Sequence, residues 1–399
     1  MAVIRQDQPT VLLGFAEAFA AIEAIWSLQR AGMRVMCFAR AGRRSAARRM
    51  RGVPVFEIPP PETDLPATIT AVSALIERFR PEAFLPLDDA SLWLTQHVDR
   101  GACAVVGPDT AGAAFALNKA AQIVAAARAG LDVPDTTVFT NVHAVTVDRW
   151  PVILKPADAV ISDGATLVRP RARICANAEE LKAAQAVMRD GHVLCQALVT
   201  GTGEGLFAFA GSNDAEHWSA HRRVRMLNPH GSASSACESI PVDTYLRNAA
   251  WDMLARLEWR GLFMAEFLRD SSGRAFFMEI NGRAWGSLAL ARRRGFEYPA
   301  WAVQDALVLP RSPGPADAPP PVRARHLGRE IGHLAFVLRG PQTQATVEWP
   351  GRWRTLRDLL TIRPGDRLYN WDPRHPAVLT VDTWRTLADL APRPGRRLA

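Results

Sequence analysis

Lysine is almost missing from this chain. Of 48 basic residues in 399, three are lysine, Lys119, Lys155 and Lys182, and all the others are arginine. The two cations exchange freely on a solvated surface. They do not exchange where a compact ammonium must meet a single phosphate or titrate on burial, which singles out Lys119 and Lys155 for attention. Cysteine is scarce as well: there are five, in no C-x-x-C pair, which argues against a disulfide framework or a zinc site and for a reducing, cytoplasmic setting. No apolar run approaches the ~18–20 residues of a membrane helix, and no signal peptide is evident at the N-terminus. The first apolar strand lacks G-x-G-x-x-G, so a dinucleotide site has no support. No G-x-S-x-G or activated-cysteine pattern offers a nucleophile.

Positive charge is in modest excess, a formal +8 against 40 acidic residues. The arginines are scattered beside Glu and Asp with few aromatics between them, so a solvated surface is expected rather than a nucleic-acid or membrane interface. Apolar content of 48% with 22% charged residues marks an ordered globular chain, long enough for two or three domains.

Residues 10–110 alternate short apolar strands with amphipathic helices, the pattern of an open parallel α/β sheet. Asp88-Asp89 ends one of these strands, either as a helix N-cap pair or as a group meeting an amine at the sheet's carboxyl end. Residues 109–130 read as a helix carrying Lys119. Strands follow at 152–156, 193–199 and 206–209, with a loop expected at 201–205. An amphipathic helix is expected over 244–259. A proline-rich linker at 310–321 precedes a C-terminal segment, whose last residues, 392–399, read as a loose tail.

The stretch 261–286, GLFMAEFLRDSSGRAFFMEINGRAWG, carries the most chemistry. Two apolar runs flank Asp270-Ser271-Ser272-Gly273, a turn signal, so a hairpin is expected. Pairing outward from a four-residue turn sets Arg269 opposite Arg274 and Glu266 opposite Phe277. Glu266, Phe277, Glu279 and Asn281 then share one face, with Phe276, Met278 and Ile280 on the other. Two carboxylates so close repel each other unless a cation lies between them. With Asn281 they form a hard oxygen set suited to Mg²⁺ that also holds phosphates. Arg283, just beyond, can bind a phosphate oxygen.

In combination these pieces resemble the ATP-grasp superfamily, most closely its carboxylate–amine ligase branch with carbamoyl-phosphate-synthase-like members. The matching stretches are Leu117-Asn118-Lys119, Val152-Ile153-Leu154-Lys155-Pro156, Cys195-Gln196 with the glycines after it, His221-Arg222-Arg223-Val224-Arg225, and Glu266 with Glu279-Ile280-Asn281-Gly282-Arg283. The resemblance covers about residues 10–310. It implies a mixed α/β and α+β chain: an N-terminal pre-ATP-grasp α/β domain at 1–111, an ATP-grasp domain at 112–310 with lobes at 112–200 and 201–310, and a linker with C-terminal segment at 311–399.

The same resemblance implies roles. Lys119 and Lys155 would meet the ATP phosphates, and Gln196, Ala197, Leu198 and Val199 would form the hinge along the adenine edge. Glu204 would take the ribose hydroxyls. Glu266, Glu279 and Asn281 would bind Mg²⁺, with Mn²⁺ as a substitute. Arg223 and Arg283 would steady the transferred phosphoryl group. The implied reaction joins a carboxylate and an amine, amino-acid or peptide-like small molecules, through an acyl phosphate, releasing ADP and phosphate. A homodimer is compatible with this. Alternatives are a nucleotide-binding or regulatory protein with weak turnover, or another phosphoryl-transfer or carboxylation activity on the same fold. The first is motivated by the lid at 157–165, which holds one glycine and two aspartates where backbone amides should wrap phosphates.

Overall fold

The structure is a computed structural model and describes residues 8–211, 214–231, 233–315, 319–341 and 349–390. The expected loose tail at 392–399 lies outside the described residues.

Five parallel strands form the N-terminal sheet, in the order Val55–Ile58, Arg34–Arg40, Thr10–Gly14, Ala83–Pro86, Ala104–Val105. Their short apolar runs are buried on both faces, as a parallel sheet covered by helices requires. The strand order reverses beside Thr10–Gly14, so the crevice for ligands opens at the carboxyl ends of Thr10–Gly14 and Ala83–Pro86. At that end Asp88 caps the helix Asp89–Thr95 in a capping box with Ser91.

A second sheet is antiparallel, in the order Arg173–Cys175, Val152–Pro156, Val193–Ala197, Thr136–Phe139. Between the first two sheets the expected single helix over 109–130 is two, Thr110–Ala116 and Lys119–Arg128. The break has a local cause. Asn118 is extended and its side chain accepts from the Ala121 N–H, starting a fresh helix whose first residue is Lys119.

The third sheet has seven strands: Ala275–Asn281, Gly261–Arg269, Thr202–Ala210, Ala215–Met226, Ser234–Ile240, Arg323–Arg325, Asp366–Leu368. The last two belong to the expected C-terminal segment, which therefore extends this sheet. One face packs on the helices Lys119–Arg128 and Thr244–Ala255 through Phe263, Phe267, Phe277 and Ile280. The other face is divided. Phe207, Phe209, Leu262 and Met264 bury against Trp285, Tyr298, Trp301 and the N-terminal sheet, each such side chain contributing roughly 1.5–3 kcal/mol. The rest of that face carries charge. Among the described residues no helix is long and apolar enough to cross a membrane.

The segment expected as a loop at 201–205 is strand from Thr202 onward. Gly203 and Gly205 sit in it because neighbours fill their Cβ positions: a Cβ at Gly203 would lie 2.7 Å from Arg223 Cδ, and one at Gly205 would lie 2.9 Å from His221 Cε1. These glycines give the two longer side chains room to lie across the sheet.

Candidate functional site

The hairpin register differs from the expected one in two compensating ways. The turn holds five residues, with the Asp270 N–H donating to the Arg274 carbonyl at 2.9 Å and Gly273 at φ +89°. Arg269 therefore pairs with Ala275, and Phe267 with Phe277. A bulge then intervenes, and Glu266 pairs directly with Glu279. The extra residue restores the carboxylate face. Phe277 turns instead into the apolar core, where it is fully buried, and Phe276 stays half-buried.

Asn281 bridges this pair: its Nδ2 donates to Glu266 Oε1 at 3.3 Å and to Glu279 Oε1 at 3.4 Å. Arg223, from the neighbouring long strand, donates Nη2 to Glu266 Oε2. Burial opposes the Arg223 charge, but the carboxylates of Glu266 and Glu279 outweigh it, and its pKa is raised. Glu279 is partly buried, and the charges of Lys119, Arg283 and Arg169 hold its carboxyl below the usual range.

The two lysines come from different directions. Lys119 opens its helix, and Gln122 one turn on fixes that helix to the carboxylate strand. Gln122 Nε2 donates to the Ile280 carbonyl at 3.2 Å, and the Ile280 N–H donates back to Gln122 Oε1 at 2.9 Å. The Lys119 N–H donates to the Ala157 carbonyl at 2.7 Å, tying this helix to the segment just after Lys155. Burial pulls the Lys155 ammonium down and the charge of Lys119 adds to this, while Glu279 and Glu266 pull it back up. An ammonium set so deep in a strand requires counter-charge.

Arg283 reaches the opposite wall. Its Nε donates to Asp89 Oδ1 at 2.9 Å, and Arg169 Nε lies 3.4 Å from Asp89 Oδ2. Asp89 is 8% exposed. Burial would raise its pKa, yet Arg283, Arg169 and Lys119 together hold it down to about 2. Of this pair, Asp88 takes the N-cap role, and Asp89 is paired with the two arginines. His221 belongs to the same face and was named in the sequence only as part of a motif. Its Nδ1 lies 2.8 Å from Ser287 Oγ, its Nε2 is buried without a partner, and burial with the charge of Arg223 takes its pKa to about 3.

Five expected residues remain, Glu204 and the strand end 196–199. Glu204 pairs with Phe267 in the register, on the opposite side of the sheet from Glu266. There Arg269 Nε donates to both its oxygens at 2.9 and 3.0 Å, so it does not approach the cluster. Alternation along the strand made this unavoidable once Gly205 faced Glu266. Gln196 is buried and donates to Thr136 Oγ1 at 2.9 Å. Beyond it, the N–H groups of Ala197 and Leu198 are spent on the carbonyls of Asp135 and Pro151 at 2.9 and 3.1 Å. Among the described residues no acceptor takes the Val199 N–H.

The lid forms a small hairpin, Ile161–Ser162 with Leu167–Val168. Asp163 Oδ1 accepts from the Ala165 and Thr166 N–H groups at 3.1 and 2.6 Å, and Ser162 Oγ from Gly164 N–H at 3.2 Å. The turn amides of Gly164, Ala165 and Thr166 are thereby occupied by the hairpin's own side chains. The hairpin docks on the N-terminal region, Leu167 N–H donating to the Pro61 carbonyl at 2.7 Å.

Among the described residues no group of three His, Cys, Asp or Glu side chains forms a metal site. The donor set here is two carboxylates and one amide, which is oxygen-rich and sparse. It fits a hard divalent cation that completes its shell with water and phosphate oxygens.

No family model matches the chain, and no curated protein matches it in sequence. Solved structures do. An L-amino acid ligase from Bacillus licheniformis aligns at 14% identity with a TM-score of 0.58, over 76% of this chain and 75% of its own. Biotin carboxylase from Campylobacter jejuni, in complex with β,γ-ATP, aligns at 16% identity and TM-score 0.60, over 76% and 72%. An N5-carboxyaminoimidazole ribonucleotide synthetase in complex with ADP aligns at 15% identity and TM-score 0.57, over 84% and 86%. At such low identity the likeness concerns architecture, and by that architecture this chain has the fold of the ATP-grasp superfamily.

Proposed function

We propose that the protein is an ATP-dependent carboxylate–amine ligase. The observation that carries this is the convergence of Glu266, Glu279 and Asn281 with Lys119, Lys155, Arg223 and Arg283 on one sheet face. Phosphoryl transfer demands charge neutralisation and positioning more than covalent help from the protein, and this cluster supplies both.

In this reading Lys119 and Lys155 hold the phosphates of ATP, and the strand end 196–199 borders the adenine. With two of its amides already spent, that edge offers the Val199 N–H as its donor. Glu266, Glu279 and Asn281 would hold Mg²⁺, which would supply neutralisation of the phosphate charge. A substrate carboxylate oxygen attacks the γ-phosphorus, and the bond to the β-phosphate oxygen breaks as ADP leaves. Arg223 and Arg283 hold the resulting acyl phosphate, with Asp89 fixing the Arg283 guanidinium. An amine then attacks the acyl carbon, the C–N bond forms, inorganic phosphate departs and the amine loses its proton.

The test is ADP release with Mg²⁺ over pairs of amino acids, read by mass spectrometry for a new amide. Release that needs both a carboxylate and an amine supports ligation; release driven by bicarbonate instead would move the reading to carboxylation. The lid favours a second reading, a nucleotide-binding protein with weak turnover, because its own side chains occupy the turn amides of Gly164, Ala165 and Thr166, which then cannot wrap phosphates. Tight ATP binding with no release under any pairing would select that one.

A further inference from the structure

Arg329 stands out among the charged residues of this face. It comes from the C-terminal segment, in the first turn of the helix Leu327–Arg339. Its guanidinium lies over the Phe19 ring, with Cζ 3.4 Å from the ring centroid. Phe19 belongs to the loop after the first N-terminal strand, at the mouth of the ligand crevice. Among the described residues its side chain makes one hydrogen bond, from Nη1 to the Ser234 carbonyl at 3.1 Å. Among the described residues no carboxylate lies within 4.0 Å of it, although most enclosed arginines here have one. Asp382, whose charge reaches Arg329, is engaged elsewhere, accepting from Asn370 Nδ2 at 2.7 Å and lying 2.7 Å from His326 Nε2.

The surroundings point the same way. Burial, with the Arg385 charge, pulls the Arg329 pKa down to about 10 despite Tyr369, Asp382 and Cys237. Yet the side chain keeps some solvent contact and its unspent nitrogens are not sealed, as in a crevice. The Tyr369 hydroxyl beside it is sealed and makes no hydrogen bond of good geometry. Cys237, opposite Arg223 in the strand register, feels the charge of both Arg223 and Arg329. Gly286 keeps the floor open: a Cβ there would stand 3.1 Å from the Phe19 ring and 3.9 Å from Arg329 Nη1. Gly286 is three residues beyond Arg283, a span of at most about 11 Å.

We propose that Arg329 anchors the free carboxylate of the amine-bearing substrate, making the C-terminal segment part of the substrate site and that substrate an amino acid or short peptide. A planar guanidinium held over an aromatic ring, with most of its N–H groups unspent, is suited to a bidentate carboxylate. The proposal rests on the ligase reading for the amine, but its anion-binding content can be tested alone.

The full-length protein, with ADP and Mg²⁺ present, is screened by thermal shift and calorimetry against the twenty amino acids and their α-carboxamides. At least one acid should bind and its carboxamide should bind roughly 10–100-fold more weakly. Arg329→Gln should abolish that preference while leaving ADP affinity unchanged, and Arg329→Lys should restore part of it. In turnover, the same variants should raise KM for the amine substrate with a smaller change in kcat. Binding that favours the acid without any ADP release would retain the anchor and remove the ligase reading. Equal binding of acid and carboxamide, no binding of any acid, or an Arg329→Gln protein that folds and keeps the preference would overturn the anchor.

Discussion

Glu266 and Glu279 lie directly opposite one another on adjacent strands, and Asn281 donates to both. Nothing apolar requires this pairing. Two carboxylates at cross-strand distance destabilise a sheet unless cations surround them, and here Arg223, Arg283, Arg169 and the two lysines do so. Glu279→Gln should therefore leave the fold intact and remove metal-dependent ATP turnover by about 100-fold or more. Magnesium-titrated ADP release, beside a melting curve, checks this; unchanged turnover would remove Glu279 from the metal set.

Lys155→Arg conserves charge and so separates charge from shape. Lys155 lies in a strand paired on both sides, and a guanidinium there is wider than an ammonium. We expect KM for ATP to rise at least about 10-fold, with the amine KM little altered. Equal ATP affinity in the two proteins would show that a generic cation suffices.

Gly203→Ala tests the placement of Arg223 without touching it. The new methyl would meet Arg223 Cδ at 2.7 Å, and the flexible side chain should yield, leaving Glu266. Turnover should fall roughly 10-fold with a small loss of stability. A variant with normal turnover would mean that the Arg223–Glu266 contact is dispensable.

Asp89 provides an acid-side signature. Its folded pKa of about 2 is below the ordinary value, so its stabilisation is complete above pH ~4 and is lost as pH falls through about 2. That difference corresponds to about 2 kcal/mol. Asp89→Asn should lower stability near neutrality and flatten the decline below pH 4, as urea melts across pH would show. It should also weaken turnover, because Arg283 loses its partner.

His221 acts in a different window. Its folded pKa of about 3 is lower than that of an unfolded histidine, so the unfolded chain binds the extra proton. Stability should therefore fall as pH drops from about 6.5 towards 3. His221→Gln should shallow that slope between pH 6 and 4 and leave the steeper loss below it. Parallel slopes in the two proteins would place the titration elsewhere.

The sequence by itself determined the parts whose physics is local. Period-2 alternation after Gly261 put Glu266, Glu279 and Asn281 on one face, and the rarity of lysine pointed to Lys119 and Lys155. Alternating strands and helices before residue 110 specified a parallel sheet. Tertiary structure decided whatever depended on a neighbouring strand or another domain. The bulge that sets Glu266 against Glu279 appears only once the five-residue turn is paired. Glu204 lies on the sheet face away from Glu266 because Gly205, and not Glu204, pairs with Glu266. Asp89 and Arg283 are 194 positions apart in the chain, and Arg329 reaches Phe19 from a segment that composition marked only as following a proline-rich linker. Such contacts arise from folding distant segments onto one crevice, and no periodicity in the chain encodes them.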